Sequence, residues 1–282
     1  QEMISQCPLP DDLVEEINRS YAELKKTNQK GLVSMRSSAI GEDTGLSFAG
    51  QYATYLCVKE DEIIDRYRDV IASKFVPKAI YYFLSHKLKE AELAMGVGCV
   101  TMINAKASGV IYTRNPVDPE DDSILINSIY GLGKYLVDGT VTPDVFKVSR
   151  NEKKLIEASL SDKPRKLVMG ENGCLIEDVV SREEQITESI TESERKLLTD
   201  YAIKIENHYG QPQDIEWAVD QDGNPYILQT RPLRIVKPSL STEDKEFPDL
   251  NPIIKDGSTV CPGAGAGKVC HVKSEQDLME IP

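Results

Sequence analysis

The segment 214–231 constrains the fold most strongly, because two strand-like runs flank the dipeptide Asp222-Gly223. Residues 214–219 and 225–229 are rich in the β-branched, aromatic and aliphatic residues that strands favour. Asp-Gly between two such runs is one of the strongest short signals for a two-residue hairpin loop. The sequence therefore predicts an antiparallel β-hairpin in this segment.

The register of this hairpin predicts one polar face. With Asp222-Gly223 as a two-residue loop, Glu216 lies opposite Gln229, and Asp214 lies opposite Arg231. Side chains alternate along a strand, so these four side chains share a face. The opposite face is mostly apolar and consists of Ile215, Trp217, Leu228 and Thr230.

The polar face has two interpretations. Oxygen ligands from Glu216 and Gln229 are suited to Mg²⁺, which takes few protein ligands and retains phosphate oxygens and water. Arg231 is suited to binding a phosphate, and Asp214 to orienting that arginine. The alternative is a cross-strand surface salt bridge, worth about 0–1 kcal/mol, on an ordinary half-exposed hairpin. The hairpin pattern alone leaves both interpretations open.

Periodicity and turn signals predict further helices and strands along the chain. Helices are expected at 11–26, 60–74, 77–94 and 191–208. Strands are expected at 32–35, 54–58, 98–103, 109–113, 123–128, 145–149 and 268–272. The last helix opens with a capping box, Thr191-Glu-Ser-Glu194, and ends at Gly210. This succession predicts an α+β fold.

Charge and composition exclude several classes of protein. Lysine and arginine total 33 against 46 aspartate and glutamate, a formal charge of −13, which argues against nucleic-acid binding and against docking on an anionic membrane. No apolar run is long enough for a membrane span, and the first residues do not form a signal peptide. Six scattered cysteines without a Cys-x-x-Cys pair favour reduced thiols in the cytoplasm. Because the chain does not begin with Met, we expect a fragment of a longer protein.

A second candidate site is the small-residue segment that follows Gly31. Ser34-Met-Arg-Ser-Ser-Ala39 places Arg36 near a strand end, and Ser47-Phe-Ala-Gly-Gln51 and Thr54 follow it. Small residues allow backbone N–H groups to approach an anion, and Arg36 would supply a permanently charged fork for phosphate oxygens. The alternative interpretation is an ordinary surface loop.

The remaining motifs are weaker. Gly131-x-Gly133 is more often a turn than a ligand site, and the chain contains neither a dinucleotide-binding fingerprint nor a Walker motif. His86, His208 and His271 accompany no nucleophile motif, so we interpret them as structural.

Taken in order, several segments over residues 10–235 point to one family. They are Val33-Ser-Met-Arg-Ser-Ser-Ala39, Ser47-Phe-Ala-Gly-Gln51, Ser108-Gly-Val-Ile-Tyr-Thr-Arg-Asn-Pro116, Gly131-Leu-Gly133, Val141-Thr-Pro-Asp144, His208-Tyr-Gly-Gln-Pro-Gln-Asp-Ile-Glu-Trp217 and Leu228-Gln-Thr-Arg-Pro232. This ordered set resembles the phosphoenolpyruvate synthases (pyruvate, water dikinases) and the pyruvate phosphate dikinases.

The resemblance implies an ATP-grasp domain with two α+β lobes and ATP between them, a fold shared with rifampin phosphotransferases and glucan, water dikinases. It implies catalytic and triphosphate-binding roles for Arg36 and Arg231, with Asp214 beside them. Glu216 and Gln229 would bind Mg²⁺. The other ATP contacts that it implies are Gly50, Gln51 and Thr54 in a phosphate-covering loop, and Met102 and Ile103 beside the adenine.

Departures from the family pattern bear on the domain organisation. The family's amino-terminal Gly-Gly-Lys-Gly segment is missing, so residues 1–235 are expected to form a partial ATP-grasp domain. Residues 236–258 are expected to be a linker, and 259–282 the start of a phosphohistidine swivelling domain whose carrier histidine lies beyond Pro282. Lys134 stands where the family usually has Glu, and Val100 stands where Gln is common.

The function expected from the resemblance is the first half of a dikinase reaction. The chain would bind ATP and Mg²⁺ and pass a phosphoryl group to a carrier histidine, on the way to phosphorylating pyruvate. Its expected partners are ATP and the phosphohistidine and pyruvate-binding domains of the same enzyme, which could be a homodimer, with no nucleic acid and no membrane. Two alternatives stay open: another acceptor, such as rifampin or glucan, and a nucleotide-binding module without catalysis.

Overall fold

The computed structural model describes residues 2–26, 31–39, 52–85, 94–118 and 120–235 of the 282-residue chain. Predictions that fall outside these residues concern Gly50, Gln51, His86, His271 and the segments 236–258 and 259–282. The helices are α1 (Glu2–Gln6), α2 (Asp11–Lys25), α3 (Ile63–Ala72), α4 (Pro77–Ser85), α5 (Lys134–Val137), α6 (Arg182–Gln185) and α7 (Glu192–Tyr209), with 3₁₀ turns at Glu60–Glu62 and Ser73–Phe75. The strands are β1 (Val33–Ala39), β2 (Thr54–Val58), β3 (Met95–Thr101), β4 (Ala105–Tyr112), β5 (Ile124–Tyr130), β6 (Asp144–Val148), β7 (Leu155–Ser159), β8 (Arg165–Met169), β9 (Leu175–Val179), β10 (Gln213–Asp220) and β11 (Pro225–Pro232).

The first lobe is a three-stranded antiparallel sheet in the order β2-β1-β3. Its central strand alternates, so that Val33 and Met35 are buried while Arg36 faces the other way. The buried side packs against α2 and α3, which contribute Tyr21 and Val70 to the same apolar cluster. This lobe therefore buries one face of its sheet under helices and leaves Arg36 on the opposite face.

The second lobe is a six-stranded antiparallel sheet in the order β11-β10-β4-β5-β6-β7. One of its faces is covered by α7, whose Leu198 and Ala202 pack with Trp217 and Phe146 in a fully buried core. The opposite face carries the polar side chains of β10 and β11 and is the face that contacts the first lobe. The α+β fold class with two lobes is thereby confirmed.

Both ends of α7 agree with the sequence prediction. The Thr191 hydroxyl accepts a hydrogen bond from the Glu194 backbone N–H, and the Glu194 carboxylate accepts one from the Thr191 N–H. At the other end Gly210 adopts φ +67°, the left-handed conformation that favours glycine at a helix C-terminus. Local capping chemistry was therefore sufficient to place this helix.

The hairpin β10–β11 corrects part of the predicted register. Asp220 pairs with Asn224 and Gly223 has φ +85°, so the loop contains three residues rather than the predicted two. A β-bulge then makes Leu228 an extra residue between the Glu216–Gln229 and Trp217–Ile227 pairs. The loop is one residue longer than predicted, and the extra residue in β11 shifts the pairing back by one position.

Because of this offset, the predicted pairs Glu216–Gln229 and Asp214–Arg231 are confirmed as direct cross-strand neighbours. Leu228, which was predicted on the apolar face, is the extra residue of the bulge and is 40% exposed on this edge strand.

Other elements also differ from the sequence prediction. Strands β7, β8 and β9 were not predicted, because β7 and β9 are exposed along their whole length and lack an apolar face to reveal them. Strand β3 begins at Met95 rather than at the predicted residue 98. Its two glycines weaken the strand signal there. The predicted helix 77–94 is present as α4 up to Ser85, and residues 86–93 lie outside the described residues. Of the helices that the structure describes, none combines the length and apolar character needed to cross a membrane.

Candidate active site

Arg36 connects the two lobes. Its Nη2 donates a hydrogen bond to Oε1 of Gln229, and its Nη1 lies 3.5 Å from Oε2 of Glu216. The arginine belongs to β1 of the first lobe, and the other two residues belong to the β10–β11 hairpin of the second. Tertiary structure thus brings three predicted site residues together from opposite lobes.

The neighbours of Arg36 on its own sheet explain its orientation. Gly98 on β3 lies directly opposite, and a Cβ there would stand only 3.4 Å from Cγ of Arg36. Thr54 on β2 is its direct partner on the other side and is exposed. Because directly paired residues share a face, Thr54 lies on the same side of the sheet as Arg36.

Glu216 and Gln229 aim their oxygens at one cationic group. Each contacts the same guanidinium, and both belong to one directly opposed cross-strand pair. Among the described residues no cluster of three or more His, Cys, Asp or Glu side chains could hold a metal. One carboxylate and one amide oxygen form a donor set that fits Mg²⁺, which binds few protein ligands when phosphate supplies the rest.

Asp214 fixes Arg231 in place. Both Nε and Nη2 of Arg231 contact Oδ2 of Asp214, at 2.8 Å and 2.7 Å. Burial alone would lower the pKa of Arg231, but the adjacent Asp214 carboxylate and the nearby Glu216 outweigh burial and raise it. The guanidinium is therefore held both charged and oriented beside the Glu216–Gln229 pair.

Met102 and Ile103 form the connection from β3 in the first lobe to β4 in the second. They pack in an apolar cluster that contains Leu167 and Ala218, and Ala218 lies two residues along β10 from Glu216. The Met102 N–H donates to the Leu32 carbonyl, and the Ile103 carbonyl accepts from Ala105. Within the described residues, the Met102 carbonyl and the Ile103 N–H have no backbone partner, which leaves one acceptor and one donor beside this apolar cluster.

Sequence reasoning missed two contributors to this face. Leu167 comes from β8, a strand that the sequence did not predict, and Gly131 forms a parallel bridge with it. Tyr112 lies directly opposite Asp214 across the β4–β10 pairing, on the same face as the predicted site. No local signal identifies either residue, because both positions depend on long-range pairing.

The predicted site residues thus fall into two groups. Those that lie together or along one face are Arg36, Thr54, Met102, Ile103, Asp214, Glu216, Gln229 and Arg231. Gly50 and Gln51 lie outside the described residues. Of the two departures from the family pattern, Lys134 forms an ion pair of 3.0 Å with Asp138, and Val100 is 41% exposed on β3.

Comparison with known proteins places these observations in a family. Residues 1–248 match the family described as the pyruvate phosphate dikinase, AMP/ATP-binding domain. The chain is 35% identical to a probable phosphoenolpyruvate synthase of Pyrococcus horikoshii and 34% identical to the phosphoenolpyruvate synthase of Pyrococcus furiosus, over 100% and 99% of its length. It covers 35% and 36% of those two proteins, about a third of each.

A phosphoenolpyruvate synthase of Deinococcus radiodurans is 32% identical over 99% of the chain, which covers 37% of that protein. Among solved structures, an L-amino acid ligase from Bacillus licheniformis matches at a TM-score of 0.28 and 12% identity, covering 83% of this chain and 47% of the ligase, a likeness too weak to carry an argument. The match over residues 1–248 and the relatives agree with the resemblance seen in the sequence. The chain therefore belongs to the family of pyruvate phosphate dikinase AMP/ATP-binding domains.

Proposed function

We propose that this chain binds Mg·ATP between its two lobes and passes a phosphoryl group from ATP to a carrier histidine on a separate domain, within a phosphoenolpyruvate synthase-like dikinase. The observation that carries the proposal is the contact of Arg36, from the first lobe, with both Glu216 and Gln229 of the second. A ligand held by all three side chains would join the lobes.

The charges of the site support a metal–nucleotide complex rather than a bare nucleotide. Arg36 and Arg231 are balanced by Asp214 and Glu216, so these four side chains are neutral together. The whole chain carries a formal charge of −13. Bound Mg²⁺ would neutralise phosphate charge, with Glu216 and Gln229 as its protein ligands.

The apolar cluster around Met102 and Ile103 supports adenine binding. The adenine amino group needs an acceptor, and the Met102 carbonyl, which has no backbone partner among the described residues, can supply one. Leu167 and Ala218 supply apolar contact.

The chemistry asked of these side chains is positioning and charge stabilisation. Phosphoryl transfer requires little covalent chemistry from the protein, because the barrier is lowered mainly by holding the phosphates in line and stabilising their charge. Arg36 and Arg231 would hold phosphate oxygens from two sides, and Asp214 would keep Arg231 oriented. Asp214 anchors Arg231 before ATP binds, so that guanidinium needs little reorganisation. Arg36 would exchange its contacts with Glu216 and Gln229 for phosphate oxygens when Mg²⁺ takes those two ligands.

A binding titration tests the metal and phosphate roles separately. Arg36→Ala and Glu216→Gln should each weaken Mg·ATP binding about 10- to 100-fold, the effect expected for loss of one charged interaction. In EDTA, ATP should bind Glu216→Gln at least as tightly as the wild type, because this change removes a negative charge beside the phosphates. Arg36→Ala should remain weaker in EDTA. Matched controls on exposed surfaces are Arg19→Ala and Glu157→Gln. Unchanged binding by both site variants would overturn the assignment.

The transfer step needs its own experiment. Radiolabel from [β-³²P]ATP should remain on an added phosphohistidine domain, while AMP is released and water takes the γ-phosphate as inorganic phosphate, and Arg231→Ala should abolish this labelling. Tight ATP binding without transfer would instead favour a nucleotide-binding module without catalysis. Transfer to rifampin or glucan in place of that domain would favour another acceptor.

We further propose that residues 236–258 link this domain to the carrier domain that begins at 259.

A further inference from the structure

Tyr112 ends strand β4 beside the proposed phosphate site. It is the direct cross-strand partner of Asp214, which in turn is the direct partner of Arg231 on β11. Directly opposed residues of antiparallel strands share a face and have Cβ atoms about 5 Å apart. Tyr112, Asp214 and Arg231 therefore form one row across the site face, next to the row that holds Glu216 and Gln229.

The Tyr112 hydroxyl is set apart by its position in the row that contains Asp214 and Arg231. Within the part of the chain that the structure describes, it has no hydrogen-bond partner, although its side chain is half-buried. Four tyrosine hydroxyls bond to protein groups: Tyr21 to the Gly31 carbonyl, Tyr130 to the Glu184 carbonyl, Tyr135 to Glu177 and Tyr226 to Asp220. A hydroxyl without a protein partner, on the same sheet face as the proposed phosphate-binding side chains, is well placed to bond to a ligand.

The protonation state of Tyr112 suits it to donate a hydrogen bond. Burial raises its pKa, and the Asp214 carboxylate raises it further, against a smaller lowering by Arg231. The phenol therefore stays protonated throughout the neutral range, where a phosphate oxygen is an acceptor without a proton to donate.

We propose that the Tyr112 hydroxyl donates a hydrogen bond to a terminal phosphate oxygen of the bound nucleotide, beside the phosphate contact of Arg231. The inference rests on the proposed function and adds a third phosphate donor to Arg36 and Arg231. It also gives Asp214 a neighbour on each side, so that one carboxylate lies between two phosphate-binding side chains.

The test is calorimetric titration of the whole chain with Mg·ATP, Mg·ADP and AMP. Tyr112→Phe removes only the hydroxyl, and it should weaken Mg·ATP binding about tenfold or more, as for loss of a hydrogen bond to a charged group. AMP affinity should stay within about twofold of the wild type, because AMP lacks the terminal phosphates. The matched control Tyr130→Phe removes a hydroxyl on the opposite face of the sheet and should leave Mg·ATP binding unchanged.

Thermal unfolding separates a ligand contact from a structural one. Because the hydroxyl bonds to no described protein group, Tyr112→Phe should unfold at the wild-type temperature without nucleotide and show a smaller upward shift when Mg·ATP is added. Wild-type Mg·ATP affinity in Tyr112→Phe would overturn this inference and leave the proposed function intact. An equal loss for ATP and AMP would also overturn it. Failure of the wild type to bind Mg·ATP would overturn both.

Discussion

Replacement of Lys163 by methionine tests a buried ion pair on the face of the second lobe away from the nucleotide site. The side chains of Lys163 and Asp144 are both 0% exposed, and Nζ lies 2.5 Å from Oδ1. The ammonium also donates to the Ser161 carbonyl at 2.8 Å and lies 5.6 Å from the ring centre of Tyr130. Two full charges are thus removed from water, so each depends on its partner.

The two partners should differ in the cost of their removal. In Lys163→Met, the Asp144 carboxylate keeps three donors: the Ser161 N–H at 3.1 Å, the Ser189 N–H at 3.0 Å and the Ser189 hydroxyl at 2.7 Å. We expect a loss of about 3 kcal/mol, the lower end for breaking a buried pair. In Asp144→Asn the ammonium loses its counter-charge and keeps only neutral acceptors, the asparagine amide oxygen and the Ser161 carbonyl, beside a ring face, so the loss should approach about 5 kcal/mol.

Urea unfolding of the two single variants and the double variant measures these costs. The double variant should be less destabilised than the sum of the singles, by about 2 kcal/mol or more, because neither charge is then left alone. Mg·ATP affinity should stay at the wild-type value in the folded variants, since Asp144 lies beside Ser128 and Ser189 on the side that α7 covers. Additive losses, or a Lys163→Met cost below about 1 kcal/mol, would refute this reasoning.

Two further predictions concern packing and pH. Gly109→Ala would place a Cβ 1.8 Å from the backbone oxygen of Asn127 in mid-sheet, so we expect a loss of about 3 kcal/mol or more in urea unfolding. Gly96→Ala, with its nearest neighbour at 3.6 Å, is the control, and equal effects would contradict the steric argument. Although burial favours protonated Asp121, hydrogen bonds led by Lys147 hold the pKa of that carboxyl well below its usual range. Its stabilising contribution is therefore present above about pH 4 and is lost as pH falls further. Asp121→Asn should make the unfolding free energy fall less steeply between about pH 4 and about pH 2. An unchanged pH dependence would contradict the stabilising role of the Asp121–Lys147 ion pair.

Local sequence signals were sufficient where the interactions are themselves local. The capping box at Thr191 and the left-handed Gly210 bound α7, because each involves groups within one turn of the chain. The polar face of the hairpin was predictable for a similar reason, since strand alternation alone places Glu216 and Asp214 on one side. Its turn was mispredicted by one residue, and the bulge at Leu228 restored the expected pairs without any signal that the sequence made visible.

The sequence by itself determined both ends of α7, the polar face of β10–β11 and the family resemblance, because these depend on residues close along the chain or on motifs in a fixed order. Tertiary structure alone decided which side chains meet across the cleft. Arg36 contacts Gln229 from 193 positions away, and Tyr112 joins the site only through the β4–β10 pairing. Such contacts depend on how two sheets are paired and packed, which local periodicity does not encode.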